Sequence, residues 1–336
     1  MDLTTTYMGL ELRNPLVASA SPLSNTLDGI RRLADAGVGA IVLYSLFEEQ
    51  VRREAERDTC LAESGEDAFA ESLSYFPPAP RGGTGRTRYL DLIERAVKAV
   101  EIPVIASLNG ATRGGWIDYA RTMQDAGATA IDLNIYSLPG DPHTSGREVE
   151  ERHVDTLHAV KAAVNLPVAV KLSPYFSSTG EIALRLDRAG ADALVLFNRF
   201  LQPDIDPETV TVTPAVDLSS PAEARPARTW ISLLRNQVHT SLAGTTGVAG
   251  PADVVKYLLA GADVVMSASA LLRHGPDYAT VLLDGLTDWM RRKGYTSLDE
   301  PRGLLAVPEA SDQNAFERAG YVRALHAANA GHGPWE

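Results

Sequence analysis

The stretch Asp125-Ala126-Gly127-Ala128-Thr129-Ala130-Ile131-Asp132-Leu133-Asn134 holds the architectural unit of this chain. Its alanine and glycine close a helix: glycine suits a left-handed cap, and alanine lets the helix end pack close to a sheet. A nearly continuous apolar run follows, as expected of a parallel strand buried on both faces, and it ends in a polar residue. The same ending recurs at Asp35-Ala36-Gly37 and Arg188-Ala189-Gly190, with a variant at Leu259-Ala260-Gly261. Two other passages enter their run through proline, at Ile102-Pro103 and Leu166-Pro167, a residue tolerated where a strand begins but not in its middle. Working outward gives eight such runs: Leu16–Ser19, Ala40–Tyr44, Val104–Leu108, Ala130–Asn134, Val168–Leu172, Ala193–Phe197, Ser241–Gly244 and Val264–Ser267. Eight βα units favour a closed (β/α)8 TIM barrel over a doubly wound open sheet. No G-x-G-x-x-G follows the first run, which also counts against the open sheet.

Three regions fall outside the repeat. Residues 1–14, around Met8-Gly9-Leu10, read as a small N-terminal hairpin closing the bottom of the barrel. Residues 58–88 are long and irregular, with Tyr75-Phe76-Pro77-Pro78 and Arg81-Gly82-Gly83, and are expected to form a lid or interface element at the carboxyl-end face. Residues 202–229 hold Val210-Thr211-Val212 amid prolines, the pattern of a hairpin beside the sixth strand. Residues 294–336 form a C-terminal extension. No domain boundary is evident, so residues 1–336 are expected to make a single barrel domain.

Composition narrows the function classes. The chain has 336 residues, 45% hydrophobic and 22% charged, as in ordinary globular proteins large enough to bury a core without staples. The formal net charge of −12 opposes non-specific binding to nucleic acid or anionic membranes. No apolar stretch approaches the roughly 20 residues needed to cross a bilayer. Met1–Tyr7 has neither the basic region nor the apolar run of a secretory signal. The single cysteine, Cys60, excludes an intrachain disulfide and an iron–sulfur centre held by this chain alone, and a cytoplasmic location is expected. His153 and His158, five apart, cannot share one helix face as metal ligands, and no metal site is expected.

In such a barrel the chemistry gathers at the carboxyl ends of the strands. Lys171 is the sharpest signal there. It sits inside Val168-Ala169-Val170-Lys171-Leu172, where an ammonium is costly unless it pairs with a carboxylate or faces a ligand atom that carries or develops negative charge. Gly244-Thr245-Thr246-Gly247-Val248-Ala249-Gly250-Pro251 follows the seventh strand. Its small residues let backbone N–H groups approach an anion, and the helix beginning at Pro251 would add its dipole. Ser267-Ala268-Ser269-Ala270 follows the eighth strand, completing the recurrent phosphate position of these barrels. Asn134-Ile135-Tyr136-Ser137 carries two polar groups that could enter one pocket or simply cap a loop.

These motifs, in this order and spacing, resemble the dihydroorotate dehydrogenase family of FMN-dependent barrels across roughly residues 3–293. The matching stretches are Asn14-Pro15-Leu16-Val17-Ala18-Ser19-Ala20, Leu133–Ser137, Val170-Lys171-Leu172-Ser173-Pro174-Tyr175-Phe176, Gly244–Gly247, and Ser267–Leu271 with Gly275-Pro276. The resemblance implies FMN as cofactor, held by Ala18, Ser19, Ser45, Asn109, Asn134, Gly244, Thr245, Thr246, Gly247, Ser267, Ala268 and Ser269. Lys171 would face the ring edge that becomes anionic on reduction, where a fixed positive charge is useful. It further implies a base at Ser137 that removes a proton beside a carbonyl while hydride passes to the flavin. Asn134, Asn198 and, at the second strand, Tyr44 would contact the substrate. Serine is a poor base alone and would need a water relay or a strongly polar setting.

The chain departs from the family on the substrate side. The family's lysine-serine pair after the second strand is here Tyr44-Ser45, its substrate loop is replaced by Ser74-Tyr75-Phe76-Pro77-Pro78, and no second asparagine follows Ser137. The family's soluble branch carries cysteine at the base position and its membrane-associated branch serine, so this chain fits neither branch cleanly. The favoured expectation is an FMN oxidoreductase acting on a small, pyrimidine-like molecule other than dihydroorotate. An authentic dihydroorotate dehydrogenase, a flavin electron-transfer subunit of a larger complex, and a non-redox phosphate-binding barrel are the competing readings. The electron acceptor is left open, a protein partner among the candidates, and a homodimer is expected only by analogy with the family.

Overall fold

All eight apolar runs become neighbouring parallel strands in the computed structural model, which describes residues 1–49, 85–110, 113–136, 140–200, 203–213, 217–309 and 313–332. The barrel strands are β3 (Leu16–Ala18), β4 (Ala40–Val42), β6 (Val104–Asn109), β7 (Ala130–Asn134), β8 (Val168–Lys171), β9 (Ala193–Leu196), β12 (Ser241–Gly244) and β13 (Val264–Ser267). They pair in sequence order, and β13 closes the ring on β3 through Met266 opposite Val17. A short strand, β5 (Leu46–Phe47), adds to β6 above β4. The (β/α)8 barrel is therefore closed, and the open-sheet alternative is excluded.

Strand alternation sorts the side chains. Leu16, Ile131, Val170, Leu194 and Leu242 face the surrounding helices in one large apolar layer. Val17, Ala40, Val42, Ala130, Ala169, Val195, Ala243 and Met266 face the lumen in a second, smaller cluster. Each fully buried Val or Leu contributes about 1.5–3 kcal/mol relative to exposure, which fixes the register of every strand. The N-terminal hairpin, β1 (Thr5–Tyr7) and β2 (Leu10–Leu12), is antiparallel around Met8-Gly9 and feeds Tyr7, Met8 and Leu12 into the lumen cluster as a plug.

The helices that bear on the site are α1 (Leu27–Asp35), α2 (Gly85–Ala99), α3 (Arg113–Asp125), α4 (Gly146–Lys161), α5 (Thr179–Arg188), α6 (Ala224–Leu234) and α7 (Pro251–Ala260). The recurrent Ala-Gly endings behave as read: Gly261 caps α7 with φ +116°, a backbone state that glycine adopts without steric cost. The chain ends in α8 (Ser269–His274), α9 (Tyr278–Lys293) and α10 (Gln313–His332). The expected hairpin after the sixth strand is also present, as β10 (Asp204–Asp206) and β11 (Thr211–Thr213), forming its own two-stranded sheet. Of the segment expected to be a lid, residues 58–84, with Ser74–Pro78, lie outside the described residues, as do Cys60 and Ser137. Residues 85–88 are the first turn of α2 instead of loop.

Candidate active site

A cleft of about 210 Å³ opens at the carboxyl ends of the strands. Ser19, Ser45, Asn134, Lys171, Asn198, Thr245, Thr246, Gly247, Ser267, Ala268 and Ser269 all line it. The sequence reading assigned every one of them to a cofactor or substrate. Ala20, Phe197, Arg199, Ser219, Val248 and Met266 complete the wall.

One end is built from small residues and backbone. Thr246 and Gly247 take positive φ, +78° and +69°, which turns the loop after β12 back over the cleft. A Cβ at Gly247 would lie 2.6 Å from the Ser220 carbonyl oxygen and 2.8 Å from the Ala224 nitrogen, so the position excludes any side chain. Ser219 ties three loops together. Its hydroxyl accepts from the Gly247 N–H at 3.1 Å and lies 2.9 Å from the Ser269 hydroxyl, while its own N–H donates to Ser269 Oγ at 3.1 Å. Arg273 fixes the loop from behind, donating to the carbonyls of Leu218 and Ser219 at 2.9 and 3.0 Å. Ser219 was absent from the sequence reading. Its only local signal was a serine pair before Pro221 at a helix start, and its role depends on loops 28 and 50 residues away.

The other end is built from side chains on the lumen face of β6, β7 and β8. Asn198 Nδ2 donates to Asn134 Oδ1 at 2.5 Å, Asn134 Nδ2 donates to Ser45 Oγ at 3.2 Å, and the Ser45 and Ser107 hydroxyls are 2.8 Å apart. Lys171 is 8% exposed, and among the described residues its ammonium has neither an ion pair nor a hydrogen-bond partner. No carboxylate is in ion-pair contact with Lys171 among the described residues, and the charge that acts on it through space is the buried Asp132 of β7. A buried ammonium without a contacting anion costs several kcal/mol, which an anionic ligand atom in the cleft would offset.

Four assigned residues lie outside the lining of the cleft. The chain leaves β4 after Val42, so that Ser45 turns inward and Tyr44 turns outward, edge-on to Tyr89 of α2 at 5.0 Å between ring centroids; Tyr44 does not line the cleft. The Ala18 side chain packs toward the helices, leaving only its backbone for the contact assigned to it, and its strand neighbour Ser19 lines the cleft. Gly244 also points outward: a Cβ there would sit 2.3 Å from the Tyr257 ring, so this glycine serves strand–helix packing. Asn109 lines a separate cavity of about 450 Å³ with Trp116, Tyr136 and His153, and its Nδ2 has no partner. At Pro251, Asp253 accepts from the N–H groups of Ala249 and Gly250 at 3.2 Å, which sets the helix's own carboxylate beside the start of α7.

His153 is buried in α4, its Nδ1 donating to the Val149 carbonyl at 2.8 Å, and burial holds its pKa below the usual histidine value. Among the described residues, no cluster of three His, Cys, Asp or Glu side chains could hold a metal ion, and no helix is long and apolar enough to cross a membrane.

A closed barrel whose carboxyl-end cleft joins a small-residue turn to a lysine ammonium without a contacting carboxylate is the layout of a barrel enzyme that carries its chemistry at the carboxyl ends of its strands. Residues 2–290 match the sequence profile of dihydroorotate dehydrogenase. The catalytic subunit of dihydroorotate dehydrogenase B (NAD(+)) from Methanothermobacter thermautotrophicus is 28% identical over 310 residues, covering 90% of this chain and 98% of that protein. The corresponding subunit from Methanocella arvoryzae is 30% identical over 312 residues with the same coverage. The NAD-dependent dihydropyrimidine dehydrogenase subunit PreA of Escherichia coli is 24% identical over 321 residues, covering 90% of this chain and 76% of that protein. The chain belongs to the dihydroorotate dehydrogenase family and is an oxidoreductase of that flavin-dependent type, acting on CH–CH bonds. The extension that contains α10 lies beyond the matched residues.

Proposed function

We propose that this chain binds FMN across the cleft and moves hydride between the ring and a small cyclic amide or imide that carries no carboxylate. The observation that carries the reading is Lys171, an ammonium without a partner at one end of a cleft whose other end is a cradle that a single Cβ would fill. The donor set fits the cofactor. Thr245–Gly247, Ser219 and Ala268–Ser269 would hold the phosphate, Ser19, Ser45 and Ser267 would border the ring, and Lys171 would meet its pyrimidine edge. FMN supplies hydride acceptance and release, chemistry that protein side chains lack. Lys171 would stabilise the negative charge that builds up during the transfer, in a site where low dielectric magnifies the effect. Ser137 is proposed to take the substrate proton, with assistance from its surroundings.

The substrate class follows from the polar groups available. The paired amides of Asn134 and Asn198 offer a donor and an acceptor to adjacent N–H and C=O groups of a planar ring. Tyr44, standing where the family has lysine, is engaged with Tyr89, so no cation is supplied from that position to a substrate carboxylate. A relative named for dihydropyrimidine chemistry supports the same direction. A subunit role is supported by the printed names of the relatives, and a protein partner as electron acceptor is proposed accordingly.

The test is a visible spectrum of the purified protein, followed by titration with uracil and with orotate. A flavin spectrum that shifts with uracil and not with orotate is expected. A colourless protein whose melting temperature ignores added FMN would overturn the cofactor reading, and tight orotate binding would overturn the substrate reading.

A further inference from the structure

Beneath the cleft floor lies a carboxylate that none of the roles above uses. Asp132 sits on the lumen face of β7, 2% exposed, one rung below Asn134 and opposite Ala169, so that Lys171 is its diagonal neighbour on β8. The Ser107 hydroxyl is in hydrogen-bonding reach of its side chain, Ser107 contacts Ser45 at 2.8 Å, and Ser45 lines the cleft. Among the described residues Asp132 Oδ1 has no hydrogen-bond partner. Two hydroxyls, each able to donate and accept, thus stand between a buried carboxyl and the cleft floor.

The surrounding groups define its charge problem. From the plug, the Tyr7 hydroxyl is buried without a partner and is held neutral, far above the usual phenol range, by burial and by the fields of Asp132 and Asp263. From α2, the neutral Tyr89 hydroxyl donates to the Ser107 carbonyl at 3.1 Å and accepts the Ser107 N–H at 2.9 Å, which locks Ser107 in place. From β8, Lys171 is the one cation among the described groups that acts on Asp132. Burial raises the Asp132 pKa, while Lys171 and the Ser107 hydroxyl both favour its charged form.

We propose that Asp132 is a redox-linked proton holder, ionised beneath Lys171 while the cofactor is oxidised and protonated through Ser45 and Ser107 when reduction gives Lys171 a new anionic partner. The inference rests on the flavin reading above. The balance is simple. Hydride delivered by the substrate brings an electron pair and one proton to the ring, leaving it anionic next to Lys171. One further proton, drawn from the cleft through Ser45 and Ser107, binds the Asp132 carboxylate and cancels the surplus charge. Reoxidation by the electron acceptor returns that proton by the same route. Asp132 touches neither ring nor substrate and acts as a positioning residue for charge.

The experiment uses the intact FMN-loaded protein. The midpoint potential of the bound flavin is measured against pH for the wild type, Asp132→Asn and Asp132→Glu, alongside the reduced-minus-oxidised infrared difference spectrum of the wild type. The expected wild-type profile contains a pH window in which reduction takes up one proton more per electron pair than outside it. Asp132→Asn loses that window, Asp132→Glu retains it displaced along pH, and a protonated-carboxyl band appears on reduction of the wild type. Identical profiles in wild type and Asp132→Asn, or no carboxyl band in the wild type, overturn the proposal; the infrared result decides it even if Asp132→Asn does not fold. A protein that binds no FMN at all strikes the flavin reading instead, so the two failures are distinguishable.

Discussion

The two ends of the cleft are made on opposite principles. The cradle at β12 and β13 works through what it lacks: Gly247 admits no side chain, and Ser219, Thr245 and Ser269 present short hydroxyls and backbone. The wall at β6, β7 and β8 works through what it carries: Ser107, Asp132, Asn134 and Lys171 all project into the lumen. Elsewhere the lumen is filled by Val17, Ala193, Val195, Ala243 and Met266. The polar groups are therefore concentrated on one side of an otherwise apolar barrel. Added atoms should be damaging at the cradle, and removed atoms at the wall.

The largest effect is expected from adding bulk. Gly247→Val forces a β-branched residue into φ +69° and into contact with Ser220 and Ala224, so a loss of about 3 kcal/mol or more in denaturant unfolding is expected, together with loss of FMN binding. Retention of both would mean that the cradle is not rigid. Removing charge at the wall should act on chemistry and spare the fold. Lys171→Met is expected to lower the flavin reduction rate by roughly 100-fold in stopped-flow, in line with losing one pre-organised stabiliser, while the flavin-free protein melts no lower than wild type. A large fall in melting temperature would instead reveal a structural partner for Lys171.

Ser219→Ala removes the hydroxyl that joins three loops, and roughly a 10-fold weaker FMN affinity is expected from titration of the flavin-free protein. An unchanged affinity would confine Ser219 to loop packing. The smallest effect concerns pH. The folded His153 pKa is held below its ordinary value of 6.5 by burial, so the unfolded chain binds more protons as pH falls through that value. Stability is full above the ordinary value and is lost progressively as pH drops toward the lowered one. A melting temperature that falls by a few degrees between roughly pH 7 and 5, and falls less in His153→Phe, is the expected result. Equal falls in both proteins would assign the acid sensitivity elsewhere.

The wall was more legible than the cradle. Lys171 stands out in an apolar run because burying a charge is expensive, and that expense is visible in one dimension. Asn134 and Asn198 end their strands where barrels gather chemistry. The places of Tyr44 and Gly244 were not legible, because an irregular step after Val42 sets Tyr44 against Tyr89 and the Gly244 Cα packs against the Tyr257 ring. Asp253, unremarked in the sequence, sets its carboxylate against the N–H groups that precede Pro251. Asp132 was read simply as part of a strand.

The alternation of apolar runs with Ala-Gly helix endings was enough to set eight strands, the closed barrel, both hairpins and the neighbourhood of the cleft, because burial and capping act over a few residues at a time. Which side chains face one another was decided only by closing the ring. That closure brought Ser219 to Gly247 and Ser269 and set Asp132 diagonally below Lys171. Hydrogen bonds and electrostatic fields depend on distance in space, and residues far apart in sequence acquire such distances only in the folded barrel.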